Sequence, residues 1–252
     1  MQPKSDVRLS YSAFECYNDC PFKFKKLYIE RVREPNNKYA MYGSAFHELL
    51  DTLYSKEEFV SSKAVELWPK VFDKEAGKSA YSHISRGDKE EYKAKGFKDI
   101  KTWFKMAEQE NILHPCLEHE VRLEGNFRES KLVGKVDLVI NLKGGIGIID
   151  WKTGASDRKN LMQLALYAVL YFKKSGNKVD WLVPFYTKTK EVVYQACDKE
   201  IIKEASQYFG SIYNKLEEDT EFLPTKNTNC FFCSFSKNGV CPLFKPRNEI
   251  VI

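Results

Sequence analysis

Two acidic residues stand inside otherwise apolar, β-branched runs: Asp137 in Gly134-Lys135-Val136-Asp137-Leu138-Val139-Ile140, and Asp150 in Ile148-Ile149-Asp150-Trp151-Lys152-Thr153-Gly154. Such runs read as buried strands, where a charge needs a partner. Side chains alternate along a strand, so Asp150 and Lys152 share one face while Ile149 and Trp151 take the other. Gly144-Gly145 between the runs marks a turn and predicts neighbouring strands that bring Asp137 beside Asp150. Carboxylates that close repel unless a cation lies between them. A divalent metal fits best, because Mg²⁺ and Mn²⁺ prefer oxygen ligands and share them with phosphate. Lys152 then offers a donor to charge developing on an attacked phosphate or an attacking water. The pattern points to phosphodiester hydrolysis. By itself an Asp-x-Lys is more often an edge ion pair, so other residues must add to it.

Two features do. Gly43-Ser44-Ala45-Phe46-His47-Glu48 places His47 near the start of a helix over Tyr42 to Tyr54, whose apolar positions Phe46, Leu49, Leu50, Leu53 and Tyr54 recur at three and four. His47 is a candidate third metal ligand, with Gly43 one turn before it permitting close approach of backbone or substrate. Gln163 and Tyr167 lie four apart on a helix over Asp157 to Phe172, on one face with Tyr171. That face either approaches the site or packs on the sheet.

The remaining pattern places these pieces. Residues 10 to 33 suit a short helix and turn broken at Pro21, and 40 to 112 read as mainly helical with Gly77, Gly87 and Gly96 as interruptions. Strands are predicted at His119 to Gly125, Leu132 to Leu142, Ile146 to Lys152, Val179 to Thr187 and Glu191 to Ala196, with a last helix over Asp198 to Leu216. Strand, helix and strand in succession imply a mixed sheet with a crossover helix. Four segments follow: an N-terminal segment (1–39), a helical region carrying His47 (40–115), the core (116–220) and a cysteine-bearing tail (221–252).

Cys230-x2-Cys233-x7-Cys241 has the spacing by which a turn presents several thiolates to one metal centre. Three cysteines leave a position open. Cys20, followed by proline like Cys241, is the best fourth ligand, with Cys16 next. Such a centre would clasp the two ends of the chain, and Cys₄ ligation allows either zinc or an iron–sulfur cluster. Cys116 and Cys197 read as buried core thiols.

Net charge is +5 from 40 Lys+Arg against 35 Asp+Glu in 252 residues, which permits a polyanionic partner without requiring one. The longest apolar run, Leu164 to Phe172, is about half of the roughly 20 residues that span a bilayer, so no membrane span is expected. The first ten residues hold no apolar block, so a cytoplasmic location is expected.

Taken together, Ser10-Tyr11-Ser12 with Cys20-Pro21, Gly43 to His47, Gly134-Lys135-Val136-Asp137, Ile149 to Gly154, Gln163 to Tyr167 and the three terminal cysteines resemble the ordered motifs of the RecB-type PD-(D/E)xK nucleases. The likeness is closest to the iron–sulfur branch, with AddB-type nuclease domains and CRISPR-associated adaptation nucleases, and covers residues 10 to 242. It implies an α/β, restriction-endonuclease-like core: a central mixed sheet flanked by helices, joined to a helical N-terminal region and a Cys-ligated cluster linking the chain ends. It further implies that His47, Asp137, Asp150 and the Trp151 carbonyl hold Mg²⁺ or Mn²⁺, and that Lys152 orients the attacking water. Gln163 and Tyr167 match a Q-x-x-x-Y motif that positions the DNA strand, and Cys20, Cys230, Cys233 and Cys241 match ligands of a [4Fe–4S] cluster. The x7 gap before Cys241 is longer than is usual in that family.

Lys23, Lys25 and Lys26, interleaved with Phe22, Phe24 and Tyr28, suit phosphate contact and base stacking, as they also suit a solvated helix face. No Gly-x-x-x-x-Gly-Lys-[Ser/Thr] loop is present, so any helicase or recombination motor is a separate partner. The expectation is a metal-dependent DNA exonuclease acting on single-stranded ends, in recombination, repair, replication or spacer acquisition. The competing expectation is a non-catalytic DNA-end-binding subunit of a larger complex.

Overall fold

The structure, a computed structural model, describes residues 7–142, 144–154 and 157–244. The described residues divide into two compact units, one within 36–124 and 134–205, the other within 7–35, 125–133 and 206–244. The chain begins with α1 (Tyr11–Asp19) and α2 (Pro21–Phe24), followed by a π-helical turn over Lys25–Ile29.

The larger unit holds α3 (Lys38–Lys56), α4 (Ser61–Ala76) and α5 (Arg86–Gln109). Helix α3 starts earlier than its apolar periodicity suggests, because the Asn37 side chain accepts a hydrogen bond from the Ala40 N–H at 2.9 Å and caps it. His47 is therefore mid-helix. Its neighbours Met41, Tyr42, Ala45, Phe46, Leu49, Leu50, Leu53 and Tyr54 form the buried stripe. Of the three glycines expected to interrupt this region, Gly77 caps α4 and Gly87 lies in the first turn of α5, but Gly96 is inside α5 and buried.

Five strands form one path, β1 (Glu118–Phe127), β2 (Ser130–Leu142), β3 (Gly145–Lys152), β4 (Trp181–Tyr186) and β5 (Glu191–Val192), while β6 (Gln195–Ala196) also pairs with β4. Strands β2 and β3 are antiparallel, and β3 and β4 are parallel across the crossover helix α6 (Lys159–Ser175). The sheet is mixed, as expected, and the last predicted strand is two short pairings instead of one run. Leu138, Ile140, Leu142, Ile149, Trp151, Val183 and Phe185 pack into one apolar cluster with α3, α4 and α5, while α6 packs on β3 and β4. This is an α/β architecture with helices flanking a central mixed sheet, consistent with a restriction-endonuclease-like fold.

In the smaller unit, Leu9 bridges Leu132 in parallel, and Phe14 packs on Phe127 and on Phe209 of α7 (Lys199–Glu218). The Tyr17 hydroxyl donates to the Lys215 carbonyl at 2.9 Å. Phe24 stacks on Tyr28 and Phe222, so early and late segments of the chain share one small core. Among the described residues no helix is long and apolar enough to cross a membrane.

Gly96 carries a testable consequence. Alanine there would gain about 1 kcal/mol of helix propensity. Its Cβ, however, would sit 2.1 Å from Cζ2 of Trp68, a fully buried ring whose Nε1 is held by the Lys93 carbonyl at 2.8 Å. Overpacking of that kind costs about 1–3 kcal/mol and outweighs the propensity. Gly96→Ala is expected to lower the urea midpoint; an unchanged or higher midpoint would show that the ring yields freely.

Candidate active site

The β2–β3 ladder runs from Leu142↔Gly145 to Leu138↔Ile149, so the next position faces Asp137 toward Asp150. At that point a side chain replaces the backbone: Asp137 Oδ2 accepts from the Trp151 N–H at 2.8 Å. Both carboxylates are buried. Lys152 Nζ lies 2.6 Å from Asp150 Oδ2 and donates to Gln163 Oε1 at 2.8 Å, while Gln163 Nε2 donates to the Tyr167 hydroxyl at 3.1 Å. His47 Nδ1 reaches Asp137 Oδ1 at 3.1 Å from α3. The acids, lysine and histidine singled out in sequence thus converge on one end of the sheet.

Gln163 and Tyr167 come to this cluster too, and both are buried, so their contacts are with Lys152 and each other. Tyr171, one turn on, instead donates to Glu118 at 2.8 Å. Gly134 is needed for this packing, because a Cβ there would lie 2.4 Å from the Tyr167 ring. Gly43 is different: among the described residues a Cβ there would meet only Thr153 Oγ1, at an ordinary 3.7 Å.

The electrostatics follow from crowding charge in a buried place. Burial pushes the Asp150 carboxyl above the usual range, and Asp137 adds to it against the opposing pull of Lys152. Burial works to lower Lys152, but Asp150 overrides it and holds the ammonium above its ordinary value. Lys152 is therefore cationic at neutral pH in the metal-free protein, and it donates and stabilises charge instead of abstracting a proton. His47 follows the same logic. Burial would lower it, yet the charge and hydrogen bond of Asp137 leave it raised.

Asp150 Oδ2 is buried and, despite the nearby ammonium, has no hydrogen bond of acceptable geometry. A carboxylate oxygen left so, beside a second carboxylate and an imidazole, suits a hard divalent cation. The residues present therefore fit Mg²⁺ or Mn²⁺. His47, Glu120 and Asp137 each place a ligand atom within 4.8 Å of the others. Glu120 was not apparent from sequence, since it is one acid among Glu118, Glu120 and Glu124, and only the pairing of β1 with β2 brings it here.

The cysteine set lies in the smaller unit. Cys20 ends α1, and the Asp19 carbonyl beside it accepts from Asn227 Nδ2 at 2.8 Å, tying it to the tail. Burial pushes the Cys241 thiol up, and Cys20, Cys233 and Cys230 each push it further, although among the described residues the side chains grouped closely enough for a metal are His47, Glu120 and Asp137, not these cysteines. Cys16 is pushed up to about 12 by burial, and among thiols it feels Cys20. A group of thiols that repel one another's charge suits a cationic metal centre. Cys116 and Cys197 are half-buried, less enclosed than expected, because each sits at an element boundary. Of the candidate nucleic-acid lysines, Lys23 pairs with Glu34 at 2.9 Å and Lys26 with Glu30 at 2.6 Å, while Lys25 lies over the Phe222 ring.

With this geometry in place, comparison assigns the family. Residues 8–242 match the PD-(D/E)XK nuclease superfamily, and the chain belongs to it. Among solved structures, a protein described as "Putative exonuclease" from Eubacterium rectale is similar over 94% of this chain and 93% of its own, at 16% identity and a TM-score of 0.51. The structure of SSO0001 is similar over 98% of this chain and 91% of its own at 16% identity, with a TM-score of 0.39 that carries no argument. No curated protein matches the chain.

His47 supplies a pH test. Its folded pKa is raised, so in chelator-treated protein the His47–Asp137 contact stabilises fully below the unfolded imidazole value of about 6.5 and is lost as pH rises through the folded value. His47→Gln should remove this component of the stability–pH profile. Urea unfolding at a series of pH values checks it, and a variant profile parallel to wild type would count against the pairing.

Proposed function

We propose that the chain is a metal-dependent DNA exonuclease that hydrolyses phosphodiester bonds from single-stranded ends. His47, Asp137, Asp150 and the Trp151 carbonyl would hold Mg²⁺ or Mn²⁺, which when bound would polarise the phosphate and favour a nucleophilic hydroxide. The observation that carries the reading is the buried Asp150 Oδ2, which faces Asp137 and has the Lys152 ammonium at 2.6 Å but no hydrogen bond of acceptable geometry. Lys152, held cationic, would orient the attacking water and meet the charge that develops on the phosphate. Gln163 and Tyr167 would fix the Lys152 ammonium and through it the approach of the strand. The "Putative exonuclease" likeness supports digestion from ends. A single strand is the easier substrate for a site whose carboxylates are as buried as Asp137 and Asp150.

Cys20, Cys230, Cys233 and Cys241 would hold a [4Fe–4S] cluster, with structural zinc as the other occupant the same thiols allow. Their mutual influence on the Cys241 thiol supports a shared centre, and the hydrogen bonds of Asn227 and Asn229 to Asp19 support its clasping the chain ends. A separate helicase or recombination factor would supply duplex opening, in recombination, repair, replication or spacer acquisition.

The test is digestion of end-labelled linear and circular DNA, single- and double-stranded, with Mn²⁺, Mg²⁺ or EDTA. Metal-dependent loss of linear single strands is expected, reduced roughly 100- to 1,000-fold or more in Asp150→Ala and Lys152→Ala. Strong metal-independent binding of DNA ends without turnover would overturn catalysis and favour a binding subunit. For the second centre, anaerobically purified protein should show visible absorbance and iron that Cys230→Ser lacks. Zinc in place of iron in the wild type would reassign the site.

A further inference from the structure

Glu120 stands out from its strand. It is the one non-glycine residue at positive φ inside a strand among the described residues, at 51°, a conformation that costs about 1–3 kcal/mol and persists only where the surroundings enforce it. The twist turns its carboxylate toward His47 and Asp137, with ligand atoms of all three within 4.8 Å of one another. Its partner is Lys135, two residues before Asp137 on β2. The Lys135 side chain is 52% exposed, so its ammonium can leave for solvent at little cost, a pair of this type being worth about 0–1 kcal/mol.

We infer that Glu120 is a further carboxylate of the divalent-ion site and that Lys135 is its stand-in cation when the metal is absent. The inference rests on the reading of His47, Asp137 and Asp150 as that site. The buried Asp150 Oδ2, which has no hydrogen bond of acceptable geometry even with the Lys152 ammonium at 2.6 Å, independently indicates that this end of the sheet suits a further cation. Ligands of one small divalent ion lie about 2.0–2.2 Å from it and hence up to about 4.4 Å apart, so modest side-chain torsions suffice to bring Glu120 in. A divalent cation competes for Glu120 with an ammonium that is mostly solvated, and the ion wins.

The experiment is calorimetric titration of Mn²⁺ into the metal-free, full-length protein without DNA, alongside thermal melting. Glu120→Gln is expected to weaken Mn²⁺ binding roughly tenfold or more with an unchanged melting temperature. Glu120→Asp, which keeps the charge but shortens the arm, should weaken it as well. Lys135→Gln, which removes the competitor, should tighten it severalfold. Mn²⁺ affinity in Glu120→Gln within about twofold of wild type would overturn the assignment, whatever the melting temperature. Wild-type affinity in Glu120→Asp, or weakened binding in Lys135→Gln, would overturn it too. Asp137→Asn separates the two readings. If it binds Mn²⁺ like the wild type, the metal site itself fails; if it loses binding while Glu120→Gln does not, the role of Glu120 alone fails.

Discussion

Two carboxylates facing each other where a β-ladder ends govern this molecule. Asp137 and Asp150 occupy what would be the next rung after Leu138↔Ile149, and a pair of buried charges there has no stable arrangement without cations. The surrounding features follow as responses. Lys152 shares a strand face with Asp150, Gln163 on α6 holds the lysine, Tyr167 holds the glutamine, and Gly134 leaves room for the tyrosine ring. From the other side α3 delivers His47 to Asp137. The PD-(D/E)XK fold supplies three separate elements, the β2–β3 hairpin, the crossover helix α6 and the middle of α3, that meet at one point.

Much of this was legible in the order of residues. Period-two alternation put Asp150 and Lys152 together, the Gly144-Gly145 turn set the register that aligns Asp137, and three-four spacing marked the faces of α3 and α6. Glu120 was hidden because its selection depends on a backbone twist inside β1, which leaves no trace in polarity or spacing. Helix α3 begins before its apolar spacing does, because its start is set by the Asn37 side chain capping Ala40, and a cap adds nothing to the apolar pattern. Gly96 looked like a break. It is a contact, and only the position of Trp68 reveals that.

The smaller unit solves a different problem. Its apolar residues come from three stretches far apart in sequence, with Phe14, Phe127 and Phe209 meeting in its core. Closing such long loops costs entropy that a small core repays with difficulty. The tie the structure does show between first and last segments is polar, Asn227 and Asn229 each donating to Asp19.

The Trp151 N–H that rests on Asp137 belongs to a residue whose indole faces away from the site, edge-on to Trp103 and Phe185 and stacked over Tyr54. One peptide unit thus joins a hydrophilic event to a dry aromatic cluster. Whatever moves the carboxylate tugs on a fluorophore shielded from quenching by water. The end of the sheet where the two carboxylates meet thus carries an indole on its dry face, placed there by nothing more than the alternation of a strand.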